Sequence, residues 1–291
     1  MMPSGDTTLE LAIPGANDYV LTDAQFNRIR QLVREYTGIS LSDAKRQLVY
    51  GRLARRLRAL KLESFADYVE LLERDIESEL EEFTNAITTN LTSFFREPHH
   101  FEYLASDVLP QVVKRDNGHR RVRIWCCAAS TGEEPYSIAM VLREAASLLS
   151  GFDVKVLATD LDSAVLATAA NGIYNAERLT SVSSTRASRF FRKGSGTQAG
   201  KFRVQAELQN LITFKQLNPM HEWPVRGPFD AIFCRNVIIY FDKDTQRALF
   251  ARMAALQRPG DILFLGHSES LYRVSDQYEL VGRTIYRRVD A

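Results

Sequence analysis

The sequence predicts an α/β chain: a small all-helical N-terminal domain followed by an open Rossmann-like sheet with a small antiparallel β-subdomain insert. Three observations predict it. From Leu21 to Ala86 the chain is dense in leucine, arginine and glutamate at helical spacing, interrupted only by Gly38 and Gly51. From Val122 onward the period changes, and short apolar runs alternate with helical stretches. Between Asn175 and Leu217 that alternation breaks into Ser-, Thr- and Gly-rich sequence, with apolar alternation on both sides of a glycine loop. The 291 residues suit about two domains and can enclose full hydrophobic cores.

Residues 1–17 read as a tail, and 18–87 as the helical domain. Charge is segregated within it: Leu41 to Lys61 carries seven basic residues and one acid, whereas Leu62 to Ala86 carries nine acids and one base. At helical spacing Val49, Leu53, Leu57 and Leu60 form one apolar stripe, and Lys45, Arg52, Arg55, Arg56 and Arg58 occupy the remaining arc. That cationic face is either neutralised by the acidic helices that follow or directed at an acidic partner.

Residues 88–104 read as a linker and 105–291 as the α/β domain. VRIWCCAAS, PYSIAMVLREAASLL, VKVLATD and SAVLATAANGIY give strand, helix, strand, helix, hence a parallel sheet. FDAIFC and DILFLGH, separated by the helical DKDTQRALFARMAALQ and followed by TIYRRV, continue it. The insert is expected at about 176–216, with KGSGTQAGKFRVQAELQNLITF as its hairpin. Ligands of such a sheet sit at the turns that end its strands.

Composition narrows the function classes. Hydrophobic residues at 45% and charged residues at 25% are ordinary globular values, and 37 basic against 36 acidic side chains leave a net charge of +1. A disordered chain and a globally basic nucleic-acid binder are both excluded, so any electrostatic recognition is local. No apolar run reaches the roughly 18 residues of a membrane helix, and MMPSGDTTLELAIPGAND lacks the pattern of a secretory signal. A cytoplasmic location without membrane insertion is expected. Cys126, Cys127 and Cys234 form no CxxC pair, and the histidines show no HxxxH or HxH spacing. Reduced core cysteines and no metal follow.

The first α/β unit ends in AASTGEEPYS, residues 128–137, where Pro135 is well placed to open a helix. Gly132 stands alone, so the GxGxxG turn that seats a pyrophosphate is missing, and Glu133 and Glu134 would repel one. These acids equally suit a plain helix start. The next strand ends at Asp160, where an acid either holds a ribose hydroxyl pair or caps a helix. A nucleoside without a pyrophosphate fits best, and S-adenosylmethionine is such a molecule, with positive groups suited to Glu134 and Asp160.

Two further stretches pair aromatic residues with arginine: TTNLTSFFREPHHF at 88–101 and FDAIFCRNVIIYFDK at 229–243. Together with STGEEPYS and GHSESL, they make nearly the whole chain resemble the bacterial chemotaxis receptor methyltransferases, which use S-adenosylmethionine to esterify receptor glutamates. The resemblance implies the methyltransferase form of the sheet. It also implies cofactor contacts from Asn90, Thr92, Arg96, Glu134, Asp160, Asn218, Arg235 and Asn236, with the linker contributing. Asp160 would hold the ribose and Asn218 the adenine. Pro219 follows where the family usually has leucine, and proline has no backbone N–H to donate there.

By the same resemblance Arg96 and Tyr240 flank the reacting centre and position the substrate carboxylate. The cationic face of Lys45, Arg52, Arg55, Arg56 and Arg58 would meet the acidic helical bundle of the receptor. The insert, with Gly194, Gly196 and Gly200 in its loop, would hold a receptor C-terminal peptide, and a monomer is expected. The competing readings are a methyltransferase for another substrate, a non-catalytic receptor-binding adaptor that keeps the fold, and a nicotinamide dehydrogenase, which the missing glycines oppose.

Overall fold

The computed structural model describes residues 19–290, so the expected tail at 1–17 lies outside the described residues. Helix α1 (Asp23–Thr37) opens on a reciprocal cap, the Thr22 hydroxyl accepting from the Gln25 N–H while the Gln25 side chain accepts from the Thr22 N–H. Helices α2 (Arg46–Leu60), α3 (Phe65–Arg74) and α4 (Ile76–Ile87) follow. Val49, Leu53 and Leu57 of α2 are buried with Phe26, Ile29, Phe65, Tyr68 and Phe83, giving this unit an apolar core of its own. Each such side chain stabilises it by roughly 1.5–3 kcal/mol on burial.

The cationic face predicted on α2 is only partly free. Arg56 donates to both carboxylate oxygens of Glu79 at 2.6 Å, and Glu79 also accepts from the Tyr68 hydroxyl at 3.0 Å. Arg52 donates to the carbonyls of Ala86, Ile87 and Thr88, which are orphaned where α4 ends. Those two guanidiniums are therefore structural groups of the helical unit. Lys45, Arg55 and Arg58 remain exposed, without an ion pair among the described residues.

Beyond the linker, α5 (His99–Tyr103) passes through a widened turn at Leu104–Val108 into α6 (Leu109–Arg115). The sheet then builds from β1 (Arg121–Cys126), α7 (Glu133–Glu144), β2 (Asp153–Asp160) and α8 (Ser163–Asn171). An insert of β3 (Ile173–Asn175), α9 (Ser184–Phe190), β4 (Phe191–Lys193) and β5 (Lys201–Val204) follows, with the short α10 (Ala206–Gln209) after it. The main sheet resumes with β6 (Ile212–Gln216), β7 (Ala231–Cys234), α11 (Lys243–Ala255), β8 (Ile262–Leu265), β9 (Tyr278–Gly282) and β10 (Ile285–Arg288). Its order is β6-β2-β1-β7-β8-β10-β9, parallel from β6 to β8 and antiparallel at β10 and β9. Apolar side chains from its strands pack into separate clusters on its two faces.

Two boundaries differ from the sequence expectation. Ile212–Gln216, assigned to the insert, is the edge strand of the main sheet and runs parallel to β2 from Val156↔Ile212 to Asp160↔Gln216. The small sheet is instead β3-β5-β4, so its first strand starts at Ile173, before the expected boundary. The terminal strand gains a partner, β9, that the sequence pattern left unmarked. Gly194, Gly196 and Gly200 do turn the β4–β5 hairpin, with Gly196 and Gly200 at positive φ and Gly194 donating to the Lys201 carbonyl at 2.8 Å.

Candidate active site

Strand β1 has β2 on one side and β7 on the other, so the chain order reverses there and leaves a crevice beyond the strands' carboxyl ends. That crevice is an open-mouthed cleft lined by both polar and apolar side chains. Residues of the β1, β2 and β7 strand ends line it, and Ile39 and Thr88 of the helical unit help close it.

The turn after β1 positions the first acid. Gly132 caps α7 at φ 100°, and a Cβ there would fall 2.6 Å from the Tyr174 hydroxyl, so only glycine fits. Glu134 follows in the first turn of α7, buried, accepting from Arg235 Nη1 at 2.5 Å and from the Cys126 thiol at 3.3 Å. Burial pushes its carboxyl up, against the pull of Arg235.

Asp160 ends β2. One oxygen accepts from the Ser130 N–H at 2.8 Å and the other from the Asp162 N–H at 3.0 Å. Burial pushes its carboxyl up to about 6, although those N–H groups oppose the shift. The cap of α8 is Asp162, whose Oδ1 accepts from Ala164 N at 2.9 Å and Val165 N at 3.1 Å. Of the two readings open for Asp160, capping therefore belongs to its neighbour. Asp162 Oδ2 also accepts from the Thr88 hydroxyl at 2.6 Å and Asn90 Nδ2 at 2.7 Å, which fastens the linker to the strand end.

Arg96 lines the cleft partly exposed, its Nη1 donating to the Leu91 carbonyl at 3.0 Å. The Arg96 carbonyl in turn accepts from Arg235 Nη2. Arg235 is thus wedged between Glu134 and Glu97, whose Oε2 lies 3.4 Å from Nη2. Glu97 Oε1 accepts from the His267 N–H at 3.2 Å and lies 3.0 Å from His267 Nδ1. Burial would raise the Glu97 carboxyl, but Arg235 and His267 outweigh it and hold the group below its ordinary range. Tyr240 is half-buried, its hydroxyl without a hydrogen-bond partner among the described residues, while its carbonyl accepts from the Ser40 N–H at 2.7 Å.

The structure thus brings Asn90, Thr92, Arg96, Glu134, Asp160, Arg235, Asn236 and Tyr240 to one cleft. Asn218 is not among its lining residues. Its Nδ2 donates to the Tyr36 carbonyl at 2.6 Å and its Oδ1 accepts from the Met220 N–H at 2.9 Å, so both ends of the amide are occupied in holding the loop to α1. Its chain neighbours Leu217 and Pro219 do line the cleft, which places Asn218 beside the wall. Ser130, Glu97, Asp162 and Glu269 are the groups the motifs did not single out. The TDLD run and the GHSES run hold two of them, but only hydrogen bonds to groups distant in sequence mark their work, the Thr88 and Asn90 side chains for Asp162 and the Asn236 and Ile238 N–H groups for Glu269.

A family model described as "CheR methyltransferase, SAM binding domain" matches residues 90–287, and one described as "CheR methyltransferase, all-alpha domain" matches residues 24–88. The chain belongs to the CheR methyltransferase family. It is 49% identical to "Chemotaxis protein methyltransferase 2" of Pseudomonas aeruginosa over 94% of this chain and 95% of that one. It is 45% identical to the "Chemotaxis protein methyltransferase" of Salmonella typhimurium over 98% of this chain and 96% of that one. The Escherichia coli protein of the same description is also 45% identical, over 98% and 97%.

As a CheR methyltransferase, the chain uses S-adenosylmethionine. The cleft fits that molecule: Glu134 and Asp160 bring acids to its wall, and the buried Arg235 Nε has no hydrogen-bond partner among the described residues. The Thr92 and Tyr240 hydroxyls, which also line it, have none among the described residues. No helix of the described residues is long and apolar enough to cross a membrane, and they contain no cluster of potential metal ligands.

Proposed function

We propose that the chain transfers a methyl group from S-adenosylmethionine to glutamate side-chain carboxylates in the cytoplasmic helical bundle of methyl-accepting chemotaxis receptors, forming methyl esters. The observation that carries this reading is one cleft that combines two buried acids, Glu134 and Asp160, with the partly exposed Arg96 and the partnerless Tyr240 hydroxyl. Asp160 holds the ribose hydroxyls and Glu134 the positive methionine end, with Asn90, Thr92 and Asn236 completing the wall. Arg235 acts from behind, fixing the Glu134 carboxylate and the Arg96 backbone.

When bound, the cofactor supplies a methyl carbon activated by its sulfonium. The substrate glutamate has a reference pKa of about 4.3 and is already ionised at neutral pH, so no general base is needed. No histidine lines the cleft among the described residues, in keeping with that chemistry. Arg96 draws the carboxylate in by a charge-assisted contact, and Tyr240 steers it as a neutral donor that leaves nucleophilic charge on the attacking oxygen. Closure of the receptor helix over the cleft strips water from the carboxylate.

Docking is assigned to Lys45, Arg55 and Arg58, which stand free on α2, with Arg52 and Arg56 shaping the helix that presents them. The insert, through the hairpin of Gly194, Gly196 and Gly200, holds a receptor C-terminal peptide by strand addition and raises the local concentration of enzyme. The protein acts as a cytoplasmic monomer. Calorimetry with S-adenosylmethionine and S-adenosylhomocysteine, followed by transfer of a labelled methyl to receptor fragments, tests the reading. Binding without transfer to any fragment favours the adaptor and overturns it.

A further inference from the structure

The geometry points to Glu269 as the positioning residue that sets Asn236 and Tyr240 for methyl transfer, a role that rests on Tyr240 being the phenol that orients the substrate. Glu269 lies in the turn after β8, is 5% exposed and is not a lining residue of the cleft. Its Oε2 accepts from the Asn236 N–H at 2.8 Å and the Gly266 N–H at 2.6 Å, and its Oε1 from the Ile238 N–H at 2.9 Å. One carboxylate thus gathers donors from two strand ends.

The turn it gathers is strained. Asn236 sits at φ 58°, in the left-handed region that favours glycine. Gly266 backs it closely, since a Cβ there would fall 2.3 Å from Asn236 Nδ2. Two residues beyond Ile238 comes Tyr240, at the end of the single tight turn Ile238–Tyr240. Gln246 fixes that turn from its carbonyl side, donating to Ile238 O at 2.8 Å and Phe241 O at 3.0 Å. Glu269 fixes it from the N–H side. The phenol has no hydrogen bond of its own to hold it among the described residues, so its place is set by the backbone that these two side chains grip.

Glutamine at 269 would turn an N–H donor toward a backbone N–H and release part of that grip, shifting Asn236 and Tyr240 while leaving every side chain that lines the cleft chemically unchanged. Misplacement of a reacting group by about 1 Å can cost about 100-fold in rate. The test is a double-mutant cycle on kcat at saturating S-adenosylmethionine, using intact protein and a receptor cytoplasmic fragment. Glu269→Gln is expected to lower kcat about three- to tenfold in the wild type, no more than loss of the Tyr240 hydroxyl itself costs, but less than about twofold in Tyr240→Phe, because the group it positions is already gone.

Equal losses in both backgrounds reduce Glu269 to a structural residue, and an unchanged kcat removes it altogether; either result overturns the assignment. Should Glu269→Gln fail to fold, Glu269→Asp keeps the charge but withdraws the carboxylate from the Asn236 and Ile238 N–H groups, and the same cycle decides by the same criterion. A wild type that methylates no receptor fragment would fail the functional reading. An active wild type with additive losses fails this inference alone.

Discussion

Asp160→Asn tests the cofactor site with a near-isosteric change. The carboxylate is buried, and each oxygen already accepts one backbone N–H, from Ser130 at 2.8 Å and from Asp162 at 3.0 Å, leaving its remaining acceptor capacity for a ligand. The amide removes the charge and turns an NH2 toward one of those donors. Loss of a charge-assisted hydrogen bond costs about 1.5–3 kcal/mol, which raises Kd about 10- to 150-fold. A pH signature accompanies it. Burial raises the Asp160 carboxyl to about 6, and the anion is the form that accepts ribose hydroxyls, so protonation competes with binding as pH falls through that value. Roughly one site in ten stays ionised at pH 5, so wild-type affinity falls about tenfold between pH 7 and pH 5. Asparagine does not titrate, so its acid loss is shallower. Calorimetry with S-adenosylhomocysteine across this range reads both effects. Equal Kd values at pH 7, or the same acid limb in both proteins, would refute the assignment.

Tyr240→Phe is expected to keep S-adenosylhomocysteine affinity and to lower kcat about tenfold; an undiminished rate would return the residue to packing. Charge reversal at Arg55 and Arg58, which are exposed, should raise the apparent KM for receptor while leaving cofactor affinity intact, and added salt should mimic it. Arg56→Glu should instead lower the melting temperature, since it leaves the buried Glu79 without its bidentate partner, a loss of about 1–3 kcal/mol. Shortening Gly194 to Gly200 should abolish binding of a receptor C-terminal peptide with cofactor affinity unchanged. Failure of the intact protein to bind any C-terminal pentapeptide from its own organism's receptors would leave the insert structural.

The parallel sheet was legible because its central strands are buried on both faces and read as continuous apolar runs: RVRIWC, AIFC and ILFL. The edges were harder. Ile212–Gln216 is half-exposed and follows the insert's own alternation, so its pattern matched the wrong sheet. Tyr278–Gly282 faces the core on one side only, with Leu280 63% exposed, and carries no run to mark it. At the site, the long motifs converged because each sits at a strand's carboxyl end or in the linker packed there. Asn218 stands beside the cleft rather than in its wall because a short amide in a loop satisfies neighbouring backbone as readily as a ligand, and here it reaches the Tyr36 carbonyl. Arg52 and Arg56 looked like surface charge because periodicity gives a helix face but not what packs on it. Glu97, Asp162 and Glu269 escaped notice for a related reason. Their partners are Arg235, Asn90 and the Asn236 N–H, which chain folding alone brings within reach.

The most direct measurement identifies the product. Incubated with methyl-labelled S-adenosylmethionine and a receptor cytoplasmic fragment, the protein should place label on glutamate side chains of the fragment, and mild alkali should release that label as methanol, as a carboxylate methyl ester requires. The rate should show no dependence on a base between pH 6.5 and 8, because the nucleophile is already ionised. Label that resists alkali, or none on any fragment from a protein that binds S-adenosylhomocysteine, would contradict glutamate esterification.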